Sequence, residues 1–321
     1  MLAKDFTTSA AELPAAFARL RKEFSDLSKP VPLSPTYEEF FQSQTGADVA
    51  PWFASRKEMT VKPKNFAAKW FRKSFDLLRH KPGRFLKAVS SPAVWSTKLR
   101  QHRTAQFYDN HAHQPDLTKP YVYLPLQAQP EEGVSPRAGA FENQELIAQI
   151  LAAHLPADVR IYIKEHPHQG ELFRSEEFYR SLLQIPAVTF VPRTFDTFTL
   201  IRKSVAVATA TGSAGFEGLF RGKPFIMFGR RWCQHAPGVY TIRSEKDCAH
   251  AVDCIFRKNE TPDLRELRLF LKAIDECSVP SDGGPEAGRA PPEQRAKDMG
   301  VMMHRILAPL LAGTTTGTRH V

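Results

Sequence analysis

From Tyr121 onward the chain alternates between short β-branched or aromatic runs and segments with apolar residues at three- and four-residue steps. No other feature of the sequence restricts the fold as much. The runs are YVYLPL, VRIYIKE, AVTFV, VAVAT and PFIMF, and the segments between them are ENQELIAQILAAHL, EEFYRSLLQ, FTLIRK and SAGFEGLFR. Strands alternating with helices of this length build βαβ units with right-handed crossovers, so their strands lie parallel in one sheet. The expected fold class is α/β, a Rossmann-like parallel sheet domain. Two amphipathic segments follow it, SEKDCAHAVDCIFRK and DLRELRLFLKAIDE.

The first 118 residues read differently. AELPAAFARLRKEF, TYEEFFQSQ, NFAAKWFRKSFDLLRH and SSPAVWSTKLRQHRT have helical periodicity and are separated by proline-bearing breaks such as KPVPLSP; no run there reads as a strand. Near the other end, VPSDGGPEAGRAPPEQRA is dense in Gly and Pro and reads as a flexible linker before a last helix, AKDMGVMMHRILAPLLA. The expected organisation is a helical basic region over 1–118, the Rossmann-like domain over 119–278, a linker over 279–296 and a C-terminal helix and tail over 297–321.

Charge is placed unevenly. The net charge is +10, and residues 1–110 hold 19 Lys+Arg against 10 Asp+Glu. Between Arg56 and Arg103 there are 14 Lys+Arg against only Glu58 and Asp76, with Trp52, Phe66, Trp70, Phe71, Phe75 and Trp95 in or beside the stretch. Such a segment suits the anionic surface of an inner membrane. It equally suits a solvated helical face whose aromatics turn inward, and the sequence leaves both readings open. No stretch approaches the ~20 apolar residues of a membrane span, and the N-terminus has no secretory apolar core, so the expected place is the cytoplasm. The basic region carries no recognisable nucleic-acid motif, and no nucleic-acid partner is expected. Cys233, Cys248, Cys254 and Cys277 show neither C-x-x-C pairing nor a histidine at metal-finger spacing, which points to reduced thiols and no metal site.

In open α/β sheets ligands bind beyond the carboxyl ends of the strands, so four loops matter. The first, QAQPEEGVSP, sets Gln127, Gln129, Glu131 and Glu132 within reach of a sugar or phosphate, or forms a solvated acidic turn. In the second, Lys164, Glu165, His166 and Pro167 stand at a strand end; an imidazole there can meet a phosphate or ribose, or merely cap the loop. The third, ATATGSAGFEGLFRGKP, is the strongest signal. Thr211, Gly212, Ser213, Ala214 and Gly215 lie between strand and helix, where small residues admit a ligand to the backbone and a helix start offers N–H groups to an anion. Glu217, one turn further, can accept from ribose hydroxyls or simply favour the helix dipole. The loop is neither G-x-x-x-x-G-K-[ST] nor G-x-G-x-x-G. The fourth, GRRWCQHAPG, offers Arg230 and Arg231 to a pyrophosphate or acidic sugar, with Trp232 and His235 beside them.

Taken together over residues 119–245, YVYLPLQAQPE, IYIKEHP and ATATGSAGFEGLFRGKPFIMFG, followed by Trp232, resemble the capsule polysaccharide biosynthesis family, which includes transferases of the acidic sugar Kdo. The resemblance implies a GT-B fold, two Rossmann-like halves facing a cleft, with the donor nucleotide on the C-terminal half. The chain is also distantly similar to bacterial sialyltransferases, whose acid-acid-Gly and His-Pro motifs match Glu131-Glu132-Gly133 and His166-Pro167. That likeness implies an acidic catalytic base and a His-Pro segment that meets a CMP-sugar. The helical first 118 residues depart from the family, because they are too short for an ordinary N-terminal Rossmann half.

The expectation is a metal-independent glycosyltransferase of bacterial capsule or surface polysaccharide, moving Kdo or another acidic sugar from a nucleotide-sugar to a glycan or glycolipid acceptor. Glu131 is the expected base, with His166 and Ser213 on the phosphate; a CMP-sugar is favoured over a UDP-sugar, and no separate cofactor is expected. No D-x-D pair occurs in the sequence. Other capsule-assembly proteins are candidate partners. A polyol-phosphate transferase, a sugar epimerase or a noncatalytic capsule-assembly subunit are the alternatives, since a fold and a phosphate loop do not fix a reaction.

Overall fold

The computed structural model describes residues 12–46, 79, 91–131, 133–166, 169, 174–278, 293, 296–297, 300 and 303–304. The five anticipated strands form as β1 (Tyr121–Pro125), β2 (Arg160–Lys164), β3 (Val188–Phe190), β4 (Ala206–Thr209) and β5 (Phe225–Met227). A sixth, β6 (Val239–Thr241), was not anticipated; it is three residues long and half-buried at the sheet edge. All pairings are parallel and the order is β3-β2-β1-β4-β5-β6.

Period-two alternation sends each strand's side chains to two faces, and both are covered, which is why β1 and β4 are apolar almost throughout. Val122, Leu124, Ile161, Ile163, Ala206 and Ala208 pack on one face. Helices α4 (Glu145–His154), α5 (Glu176–Leu183) and α8 (Glu245–Val252) cover it with Ile147, Leu151, Tyr179, Leu182 and Ala251, joined by Tyr108 from α3 (Pro92–Asn110). On the other face Tyr121, Tyr123, Tyr162 and Val207 meet Leu200 and Ile201 of α6 (Thr197–Lys203) and Ala214 of α7 (Ser213–Leu219). Helix starts are set by side-chain caps: Ser175 accepts from the Phe178 N–H, Asp196 from that of Thr199, and Ser244 with Asp247 forms a capping box. A Cβ on Gly215 would overlap the Phe225 ring, so the absent side chain is what seats α7 against β5.

The chain divides into two compact units, residues 43–263 around the sheet and residues 1–42 with 264–321. In the second unit α1 (Glu12–Glu23) packs on α9 (Leu264–Cys277), with the Phe17 and Phe270 rings edge-on at 5.4 Å. There Arg265 donates to the carbonyls of Phe24, Asp26 and Lys29, and Arg268 pairs with Glu38 near the start of α2 (Pro35–Thr45). The segment DLRELRLFLKAIDE, placed by its sequence position with the sheet domain, thus belongs with the N-terminal helices. Apart from single positions, NFAAKWFRKSFDLLRH, the linker and the last helix lie outside the described residues. All four cysteines are buried and unpaired with one another. No described helix is long and apolar enough to cross a membrane.

Candidate functional site

Between β1 and β4 the strand order reverses, so the chains leaving these neighbours diverge and open a crevice at their carboxyl ends. Gln127, the second residue beyond β1, sits buried at that point. Its Oε1 accepts from Thr209 Oγ1 at 3.0 Å and from the Thr211 N–H at 2.8 Å, and its Nε2 donates to Thr211 Oγ1 at 3.1 Å. Its backbone exchanges hydrogen bonds with the Gln144 amide at 2.7 and 3.0 Å. Thr211 in turn donates to the Gly133 carbonyl and its own carbonyl accepts from Arg231. Gln127, Thr211, Arg231 and the backbone of the Glu-Glu-Gly segment are therefore one hydrogen-bonded cluster.

This cluster decides which donors the third loop has left. The Thr211 N–H is taken by Gln127, and the Gly212 N–H by Thr209 Oγ1 at 3.2 Å. The N–H groups of Ser213 and Ala214, at the start of α7, are the ones available to an anion. Ser213 is exposed there, and Ala214 is half-buried against the apolar cluster on that face of the sheet. Gly212 has functional tightness too: a Cβ would stand 2.9 Å from Thr209 Oγ1. Gly215 faces Phe225, so its role is packing. Glu217 is half-buried and its carbonyl accepts from Arg221 at 2.7 Å. Glu131 is exposed, and its carbonyl accepts from the N–H groups of Val134 and Ser135, opening the turn that carries the loop away. Arg230 is exposed beyond β5, with its N–H on the Arg137 carbonyl at 3.0 Å. Glu132 and Pro167 lie outside the described residues.

The second loop separates residues that the sequence grouped. Lys164 turns to the α6 side, where its ammonium donates to the Phe195 carbonyl at 2.6 Å and Thr197 Oγ1 at 2.7 Å. Burial lowers its pKa to about 8 against the opposing pull of Asp196. This ammonium is already engaged by the protein. Its neighbour Glu165 is 2% exposed. The Glu165 carboxylate accepts from Arg174 Nε at 3.0 Å, Tyr179 OH at 2.6 Å and the His166 N–H at 2.6 Å, while its own N–H donates to Tyr108 OH at 3.0 Å. Burial, reinforced by this carboxylate, pushes the Tyr179 hydroxyl far above the usual phenol range, so it stays a donor. Arg174 reaches on to the Gln127 carbonyl at 2.7 Å and to the Gln129 side chain. Gln129 is held further by Gln169, which accepts from its N–H at 2.9 Å, and by its own donation to the Glu142 carbonyl at 2.9 Å. His166 is half-buried at the head of this loop.

The sequence reading missed Arg174 and Tyr179, and it placed Glu165 at the strand end without giving it a role. An acid directly before the histidine in KEHP was the available signal; Arg174, nine residues on, had none. The result is a crevice whose walls are locked by buried polar bonds while Ser213, Glu131 and Arg230 remain at the solvent side. Among the described residues no three His, Cys, Asp or Glu side chains gather as a metal site.

A parallel sheet of this order, with its loops tied together at the switch point, is the ligand-binding architecture of doubly wound α/β proteins. The sequence profile described as capsule polysaccharide biosynthesis protein matches residues 63–249, and the chain belongs to that family. Among solved structures it is similar to a KpsC from Thermosulfurimonas dismutans described as a beta Kdo 2,7 transferase, at 17% identity and a TM-score of 0.36, over 55% of this chain and 52% of that one. It is also similar to HepE from Anabaena in complex with UDP-glucose, at 16% identity and a TM-score of 0.33, over 70% of this chain and 54% of that one. The chain spans about half the length of these structures. No curated relative matches it at a significant level.

Proposed function

We propose that the chain is a glycosyltransferase of capsule or surface polysaccharide synthesis that binds a nucleotide-sugar at the β1/β4 crevice. Membership of the capsule polysaccharide biosynthesis family supports the pathway. The observation that carries the reading is the cluster on Gln127, which holds the Glu131 loop and the Ser213 loop on either side of one switch point. In this reading the donor phosphate rests on the N–H groups and hydroxyl at Ser213 and Ala214, with Arg230 and Arg231 supplying positive charge. Glu131 takes the proton from the acceptor hydroxyl as that oxygen attacks the anomeric carbon, and the bond from sugar to phosphate breaks with its electrons leaving on the phosphate. His166 faces the donor. No metal is invoked, because N–H groups and arginines carry the charge that develops on the leaving group. A CMP-linked acidic sugar such as Kdo is the first donor, a UDP-sugar the second. The basic N-terminal stretch would hold the enzyme at the cytoplasmic face of the inner membrane, near a glycolipid acceptor.

A melting screen against CMP, CDP, UDP and GDP tests this, since a ligand of the native state alone stabilises by about 2.7 kcal/mol at one hundred times its Kd. CMP should raise the melting temperature most. If none of the four raises it, the reading fails. A nucleotide that binds without turnover in the presence of acceptor would instead favour a noncatalytic assembly subunit.

A further inference from the structure

Gln129, two residues before Glu131, is engaged through both its main chain and its side chain. Its N–H donates to Gln169 Oε1 at 2.9 Å and its carbonyl accepts from Gln169 Nε2 at 3.2 Å. Its Nε2 donates to the Glu142 carbonyl at 2.9 Å and its Oε1 accepts from Arg174. Two of these partners, Gln169 and Arg174, lead on to His166. The Gln169 N–H donates to the His166 carbonyl at 3.0 Å, and Arg174 binds Glu165, whose carboxylate accepts from the His166 N–H. Gln129, Gln169, His166, Glu165 and Arg174 therefore close a ring of hydrogen bonds between the first loop and the second. Its inner pair is kept from water, the side chains of Arg174 and Glu165 being 2% and 1% exposed. Only Pro130 lies between Gln129 and Glu131, and its fixed φ removes one of the few torsions that could uncouple them. The exposed Glu131 carboxylate makes no hydrogen bond or ion pair with a described residue, so the backbone alone sets where it stands.

We infer that Gln129 is a positioning residue for the transfer step, holding Glu131 through the backbone at a fixed place relative to His166. The inference rests on the transferase reading above. There the base must lie within hydrogen-bond reach of the attacking hydroxyl while the donor is held from the other loop, and a misplacement of about 1 Å can cost roughly 100-fold.

The test is a double-mutant cycle on the full chain, read as nucleotide release from whichever of CMP-Kdo and UDP-glucose the parent turns over, with water in place of the acceptor hydroxyl. Gln129→Met keeps the side chain's length and the main-chain pair with Gln169, but opens the ring at Arg174 and drops the bond to Glu142. It should lower kcat at least about tenfold and leave the donor KM within about twofold of the parent's. In a Glu131→Gln background the same change should cost less than about twofold, because residues that act as a unit are not additive. Gln129→Glu still offers Arg174 an oxygen and should fall between the parent and Gln129→Met; the same cycle run on it decides the matter if the methionine variant does not fold. A kcat within about twofold of the parent's, an equal loss in both Glu131 backgrounds, or a loss carried by the donor KM would each overturn the proposal. A parent that turns over neither donor strikes the transferase reading and the proposal with it, whereas an active parent with additive losses strikes the proposal alone.

Discussion

Replacing Arg174 with methionine lowers stability by about 3–5 kcal/mol, the scale for removing one partner of a buried ion pair. The side chains of Arg174 and Glu165 are 2% and 1% exposed, so no water replaces the lost guanidinium. Glu165 keeps only the Tyr179 hydroxyl and the His166 N–H, and the carbonyl of Gln127 loses one of its donors. Removing the carboxylate as well, in Glu165→Leu with Arg174→Met, should recover part of the loss, because the stranded charge is gone. Recovery is incomplete since Tyr179 then lacks its acceptor. Urea unfolding of the two variants and the parent measures both terms. A single variant within about 1 kcal/mol of the parent, or a double variant no better than the single, would mean that the pair is not the lock between these loops.

Glu131→Gln, in contrast, should leave the fold and nucleotide affinity nearly unchanged and reduce turnover by about 100-fold or more, the scale for a lost general base. Its exposure and its place on the loop tied to Thr211 through Gly133 argue for this split. His166→Ala should act mainly on donor affinity. Normal turnover by the Glu131 variant with a verified acceptor would move the base elsewhere and remove the sialyltransferase-like role from the Glu-Glu-Gly segment.

The sheet was legible because strands covered on both faces must be apolar runs, and YVYLPL, VRIYIKE and VAVAT are such runs. β6 was not, because three half-buried edge residues, Val239 to Thr241, carry no pattern that a loop lacks. The amphipathic face of α9 was plain in DLRELRLFLKAIDE, yet its partner was not: periodicity gives a buried face without saying against what, and α1 is far away in sequence. At the site, the small residues between VAVAT and GFEGLFR marked a strand-to-helix loop, which forms between β4 and α7. What they could not give was the donor inventory. Gln127, from another loop of the fold, and Thr209, at the end of β4, use the N–H groups of Thr211 and Gly212, and Phe225 explains Gly215. Lys164 looked available from its strand-end position, but strand alternation aims it at α6.

The central claim is that a donor phosphate rests at the start of α7, and nucleotide affinity of Ser213→Asp tests it most directly. A carboxylate in the first turn of a helix favours the helix by about 0.3–1 kcal/mol, so the variant should fold and melt no lower than the parent. The same charge would face the phosphate at contact distance. Calorimetric titration with the nucleotide that best stabilises the parent should give an affinity at least about tenfold weaker, the cost of a charge-assisted bond replaced by repulsion. An affinity equal to the parent's, in a variant that melts normally, would contradict the assignment of the phosphate to this loop.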